Sequence, residues 1–147
     1  MGASGWSYYV PYEEDLNAAL TRLQQRVFAE GDYWWVHGGF GTSAADYANR
    51  PASFEELIAD EAVQESGTHS ILDMYRVQAD GQRPDFAMVQ PVSRAEAMAR
   101  TGVEKLTRDH VAAIDGLADQ RWHGRCAVLH DATGQPAEIY FWGFSGD

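Results

Sequence analysis

Residues 125–144, RCAVLHDATGQPAEIYFWGF, contain the strongest β-sheet signal in the chain. Two apolar runs, 125–130 and 138–144, flank the turn Asp131-Ala132-Thr133-Gly134. In such a turn the aspartate accepts local amide hydrogen bonds and the glycine tolerates a left-handed backbone. Both runs carry apolar residues on both sides of an extended chain. We therefore predict a hairpin of two central strands that is covered on both faces.

Upstream of this hairpin, extended and helical patterns alternate in groups. β-prone runs predict further strands at 6–10, 33–36, 70–77 and 86–89. Helical spacing and capping residues predict helices at 13–30, 53–65, 93–102 and 107–119, with one or two helical turns at 43–49. The order predicts an α+β fold, with a mainly antiparallel sheet of about four to six strands and helices packed on one face.

The length and composition favour one globular domain over residues 1–147. A chain of 147 residues with 45% apolar residues can build a core without disulfides or a structural metal. With Cys126 as the single cysteine, neither an intramolecular disulfide nor a cysteine-based zinc cluster can form. The start lacks a signal-peptide pattern, and no apolar run is long enough to span a bilayer. We expect a cytoplasmic protein with no membrane attachment.

The chain is acidic, with 11 basic and 22 acidic residues and a formal net charge of −11. Residues 1–73 carry 12 of the acids and 3 of the bases. A negative potential repels phosphate backbones and anionic lipids, and it attracts a basic partner. We therefore expect no nucleic-acid partner and consider a basic protein the best-matched one.

The chain contains no sequence motif of fixed spacing for a phosphate-binding loop, a metal site or a catalytic serine. The sequence lacks the dinucleotide, Walker, zinc-protease, serine-hydrolase and calcium-loop signatures, so no cofactor is expected. His123 and His130 flank Cys126, but Cys126 and His130 would lie roughly 13 Å apart on an extended strand. We therefore predict no metal site. Whether the protein is an enzyme stays open at this point.

Aromatic residues are concentrated near the start, where ten of the 18 fall within residues 1–47. Consecutive strand residues face opposite ways, so Trp34 and Trp35 cannot both enter one core unless the strand is covered on both faces. Aromatic side chains beside acids are typical of protein interfaces and ligand clefts. The sequence therefore predicts either a large aromatic core between the sheet and the helices or a binding surface formed by Tyr12, Glu13, Glu14, Tyr33, Trp34 and Trp35.

Three residues are candidates for acid–base chemistry: His37, His69 and Asp73. His37 begins a glycine-rich run. On a strand, His69 and Asp73 share a face but lie roughly 13 Å apart. An aspartate within an apolar strand either faces water or is partly buried and paired, for example with an arginine. A lone buried carboxylate would have a shifted pKa and become a site candidate.

Two hypotheses about function follow. In the first, the protein is an interaction module, an inhibitor or immunity-type partner of a basic protein, with an exposed apolar patch bordered by Glu13, Glu14 and Asp32. In the alternative, it is a small-ligand binder or an enzyme. That alternative needs an aromatic cleft with Trp34, Trp35 and His37, in which His69 or Asp73 serves as acid or base.

Overall fold

Five strands form one sheet in the computed structural model, which describes residues 3–146. The order across the sheet is β1-β5-β4-β3-β2. The strands are β1 (Gly5–Pro11), β2 (Arg76–Val77), β3 (Met88–Pro91), β4 (His123–His130) and β5 (Pro136–Phe144). The α+β class predicted from the sequence is therefore confirmed.

The predicted hairpin lies at the centre of the sheet. β4 and β5 pair antiparallel, and β1 and β3 flank them on either side. At the turn, the Asp131 carboxylate accepts hydrogen bonds from Thr133 N at 2.9 Å and Gln135 N at 3.1 Å. Gly134 has φ 83°, a left-handed conformation that favours glycine. The local chemistry of these residues thus sets the hairpin that carries the other strands.

The prediction of a mainly antiparallel sheet is wrong, because the sheet is mixed. β1 pairs antiparallel with β5, but β2 pairs parallel with β3, and β3 pairs parallel with β4. Residues 92–122 return the chain to the end of the sheet at which β3 began, so β4 runs in the same direction. The loop 78–87 does the same between β2 and β3.

Five α-helices occur in the described part of the chain, and their starts follow the capping residues. They are α1 (Leu16–Glu30), α2 (Phe54–Ala59), α3 (Glu61–Ser66), α4 (Arg94–Thr101) and α5 (Val111–Ile114). Asp15 caps α1, so this helix starts three residues later than predicted. The helix predicted at 53–65 divides at Asp60, which accepts from Ala62 N and Val63 N to start α3. None of the helices in residues 3–146 is long and apolar enough to cross a membrane.

One predicted strand is absent and another is shortened. Residues 33–36 form no strand, and Trp34 N donates to Thr68 O at 2.8 Å. Within the run 70–77, Ile71–Asp73 form a 3-10 turn, and only Arg76–Val77 pair in the sheet. The Ser70 hydroxyl accepts from Leu72 N at 3.2 Å and starts this turn.

Helices cover both faces of the sheet, contrary to the prediction of one face. Along β5, Ile139 and Phe141 belong to a core with α1, while Tyr140 and Trp142 belong to a second core with α4 and α5. Because alternate strand residues face opposite sides, these cores lie on opposite faces. The prediction that the central hairpin is covered on both faces is confirmed.

Gly143 offers a test of this packing. An added Cβ would lie 2.5 Å from His123 O and 2.6 Å from the Trp6 ring. We expect Gly143→Ala to lower the free energy of unfolding by about 1–3 kcal/mol in urea denaturation, because the neighbouring backbone cannot move away. Gly5→Ala is the matched control, since its nearest contact would be 3.5 Å away. Equal stability of the two variants would contradict the packing described.

Candidate functional site

A cleft opens at the amino ends of the three parallel strands. Tyr75, Ala87 and Trp122 are the residues immediately before β2, β3 and β4. Parallel register places them side by side: Tyr75 N donates to Ala87 O, and Ala87 N donates to Trp122 O, each at 2.7 Å. The amino ends of these strands therefore place the small Ala87 between two aromatic residues, Tyr75 and Trp122.

The opposite wall comes from α2 and α3, and the floor from the turn that follows them. Ile58 belongs to α2, and Val63 and Gln64 to α3. Thr68, Leu72 and Asp73 are buried beneath. The cleft, here named the Asp73 cleft, has a volume of about 290 Å³. Its lining residues are Ile58, Val63, Gln64, Thr68, Leu72, Asp73, Tyr75, Phe86, Ala87 and Trp122.

Large apolar side chains around the cleft are exposed. Ile58 is 43% exposed, Phe86 52% and Tyr75 68%. The Phe86 ring lies 5.3 Å from the Trp122 ring, centroid to centroid. Isolated exposed apolar residues are ordinary on protein surfaces, but several around one concavity are typical of a binding site.

Unusual backbone conformations occur at the same place. Within residues 3–146, positive φ outside glycine is found at His69 (52°), Ala87 (57°) and Trp122 (62°). Ala87 and Trp122 line the cleft, and His69 follows the lining residue Thr68. Such conformations cost free energy and cluster at functional sites. The strain is therefore a second indicator of this location.

Asp73 is held by a network of hydrogen bonds rather than by an arginine. Its Oδ1 accepts from Thr68 N at 2.7 Å and from Thr68 Oγ1 at 2.8 Å. Its Oδ2 accepts from Ser145 Oγ at 2.7 Å. None of the ion pairs formed within the described chain includes Asp73. The aspartate is thus buried and held by three hydrogen bonds from neutral donors.

Burial raises the pKa of the Asp73 carboxyl above its ordinary value. The hydrogen bonds from Ser145 and Thr68, and the nearby charge of His69, act to lower that pKa, but burial outweighs them. The pKa of Tyr8, whose ionisation the Asp73 charge opposes, is raised to about 12, mainly by burial. Asp73 therefore meets the condition set from the sequence for a site candidate.

His69 and Asp73 are brought together more closely than a strand would allow, but they line different cavities. The 3-10 turn closes the chain, so the predicted separation of roughly 13 Å does not apply. His69 stacks on Trp34 at 4.3 Å and lines a shallow depression of about 360 Å³ with Tyr33 and Trp34. Trp34 also stacks on the exposed Phe40 at 6.1 Å.

The other predicted site residues lie apart from both cavities. His37 Nε2 pairs with Asp60 Oδ2 at 2.7 Å, and the buried Trp35 contacts the His37 ring. Glu13 pairs with Arg22 at 2.8 Å. Tyr12 is half-buried and Glu14 exposed on the segment before α1. His37, His69 and Asp73 therefore do not converge on one cleft.

Cys126 is unsuited to nucleophilic chemistry. It is buried in the core of the sheet, and burial raises the pKa of its thiol to about 12. His123 and His130 direct Nδ1 to the Arg121 and Leu106 carbonyls. Over residues 3–146, no three histidine, cysteine, aspartate or glutamate side chains are grouped to hold a metal ion.

Comparison with known proteins adds no relative: no protein family, curated protein or solved structure matches the chain. The fold and the cleft therefore define the protein only as an α+β protein with an apolar cleft above a buried carboxylate. Its function has to be argued from that site.

Sequence reasoning named Asp73 as a candidate but did not name the other residues that line this cleft. Ile58, Tyr75, Phe86 and Trp122 come from four separate segments, which only the parallel pairing brings together. One local signal was available. Ser70-Ile71-Leu72-Asp73 has the spacing of a capping motif, which indicates the start of a helical turn rather than a strand.

The raised pKa of Asp73 predicts a particular pH dependence. A carboxyl whose folded pKa exceeds its unfolded value stabilises the fold at low pH, and this contribution is lost as pH rises through the folded pKa. Asp73→Asn removes the titration and keeps the shape. We expect the unfolding free energy of the wild type, relative to this variant, to fall as pH rises from about 4 towards neutrality.

Urea unfolding of both proteins across this range measures the difference. His69, whose charge acts on Asp73, is present in both proteins. Tyr8 remains uncharged there because its pKa is about 12. A difference that grows in favour of the wild type with rising pH would show that the pKa of Asp73 is lowered instead.

Proposed function

We propose that the protein is an interaction module that binds a basic protein partner through the Asp73 cleft. One observation carries the proposal: exposed Ile58, Tyr75 and Phe86 surround a cleft whose helical wall belongs to a segment that is rich in acidic residues and contains no lysine or arginine. An inhibitor or an immunity-type protein would use such a surface. Aromatic and apolar anchors supply affinity, and charge selects the partner and speeds association.

The acidic wall is the segment 51–66, which contains α2 and α3. It carries five acidic residues and no lysine or arginine: Glu55, Glu56, Asp60, Glu61 and Glu65. Asp60 pairs with His37, but none of the ion pairs within residues 3–146 includes the four glutamates. Their charges therefore stay available to a basic surface on the partner.

The charge around the cleft also gives the partner an orientation. Arg76 is exposed beside Tyr75 on the strand side. A basic partner is repelled there and attracted over α2 and α3. We expect its basic residues to lie above the helices while its apolar anchor enters the cleft.

The enzyme alternative has less support. It needs convergent acid–base groups, and His37, His69 and Asp73 occupy three different surroundings. The cleft, at about 290 Å³, is slightly smaller than typical small-ligand pockets, which span about 300–1,000 Å³, and the depression of about 360 Å³ beside Trp34 is lined by neither His37 nor Asp73. The volume of the Asp73 cleft suits one anchoring side chain of a protein.

The proposal includes a cytoplasmic setting, which the single buried Cys126 favours.

Selection of displayed random peptides on the immobilised protein tests this function. We expect the enriched peptides to combine basic residues with an anchor for the cleft. Phe86→Ser should weaken their binding by about tenfold or more, because it removes an aromatic contact at the cleft. The matched control is Phe40→Ser, which removes a phenylalanine that is 89% exposed and does not line the cleft.

Measuring peptide affinity at several salt concentrations tests how much charge contributes to binding. Affinity should fall as ionic strength rises, because exposed charges are screened. Two results would contradict the proposal: enriched peptides that are acidic or neutral, or peptides that bind wild type and Phe86→Ser equally well.

A further inference from the structure

The carboxylate of Asp73 has unused hydrogen-bonding capacity. An ionised carboxylate offers about four acceptor positions. Thr68 N and Thr68 Oγ1 occupy two on Oδ1, and Ser145 Oγ occupies one on Oδ2. One acceptor position on Oδ2 is therefore not used by these three donors.

This carboxylate also lacks a cation of its own from a lysine or arginine. Within the described chain, no such side chain forms an ion pair with Asp73. The charge interaction that lowers the pKa of the Asp73 carboxyl comes from His69, and burial outweighs it. Four half-buried carboxylates pair with arginine or histidine: Glu13, Asp60, Glu96 and Glu138. A negative charge in an apolar setting is stabilised strongly by a cation that brings its own hydrogen bond.

The route to Asp73 is lined by groups that suit a long cationic side chain. Asp73 lines the cleft and is 8% exposed, beneath the apolar side chains of the walls. Tyr75, Phe86 and Trp122 provide aromatic faces at the entrance. Aromatic faces attract cations, and the apolar stem of an arginine or lysine packs along such walls.

Arginine fits this route better than lysine. Its guanidinium is planar, weakly hydrated and able to stack on aromatic rings while donating to a carboxylate. The protein already contains one such contact, since the Arg108 guanidinium lies 3.9 Å from the centre of the Tyr9 ring. That guanidinium also donates to Glu138 at 2.6 Å and 2.8 Å.

We propose that the Asp73 cleft recognises an arginine side chain of the basic partner, with the guanidinium donating to Asp73 Oδ2 between aromatic rings. This inference rests on the proposed function and adds the residue type that the cleft selects. Thr68 and Ser145 are positioning residues, because their hydrogen bonds orient the carboxylate and do not use the remaining acceptor position.

The test uses one lysine- and glycine-containing peptide with a single central test residue. That residue is arginine, citrulline, lysine or leucine, and binding to the full chain is measured by calorimetry or fluorescence. Citrulline keeps the size and planar shape of arginine, but a carbonyl oxygen replaces one guanidinium nitrogen, so it has no charge and fewer N–H donors. We expect the arginine peptide to bind about tenfold to a hundredfold more tightly than the citrulline peptide.

Variants of the protein test whether Asp73 is responsible for the preference for arginine. In Asp73→Asn, the preference for arginine over citrulline should largely disappear, while Phe40→Ser should retain it. The comparison of peptides on the wild-type protein needs no variant, so the test stands even where Asp73→Asn fails to fold.

The outcomes separate the two proposals. Equal binding of the arginine, citrulline and leucine peptides, with all three weakened by Phe86→Ser, would overturn arginine recognition and leave the interaction site intact. A preference for arginine that persists in Asp73→Asn would overturn the role of Asp73. Absence of binding by every peptide, or binding unaffected by Phe86→Ser, would overturn the proposed function and the arginine site together.

Discussion

The hydrogen bonds of Asp73 join segments that are far apart in the chain. Through Thr68 they close the turn after α3, and through Ser145 they attach that turn to the end of β5. Trp34 N donates to Thr68 O, so the aromatic segment is attached to the same point. Gly67 is needed for this approach, because a Cβ there would lie 2.4 Å from Ser145 Oγ and 2.7 Å from Asp73 Oδ2. The floor of the cleft therefore depends on one carboxylate.

Hydrogen bonds from neutral donors offset part of the free-energy cost of burying the Asp73 carboxylate. A carboxylate away from water is unfavourable unless donors satisfy it. Three donors satisfy most of the Asp73 carboxylate, yet burial still raises its pKa. The remaining instability of the charged form is what a bound cation would relieve. Under the proposal, the same burial that makes the charged form of Asp73 costly to the fold favours a positive group at the floor of the cleft.

The sequence predicted well what local chemistry decides. Asp131 and Gly134 specified the central hairpin, and Ser93 specified the start of α4. The sequence-based predictions failed for features that depend on how distant segments of the chain pack together. β2, β3 and β4 are parallel because of long connections whose path has no local signature. The cleft could not be predicted for the same reason, since its walls meet only after those strands align. Asp73 stood out because a charged residue in an apolar run needs an explanation, but its partners Thr68 and Ser145 could not be read from the run itself.

Chemical-shift mapping by NMR tests the central claim most directly, because it reports where a basic ligand binds without any substitution in the protein. The isotope-labelled chain is titrated with the arginine-containing peptide. The account predicts that the largest shift changes occur at the Tyr75 and Ala87 amides and the Trp122 indole, which surround the Asp73 cleft. The account would be contradicted if the largest changes occurred at Trp34 and Phe40. Trp34 lines the shallow depression together with His69, and Phe40 stacks on Trp34.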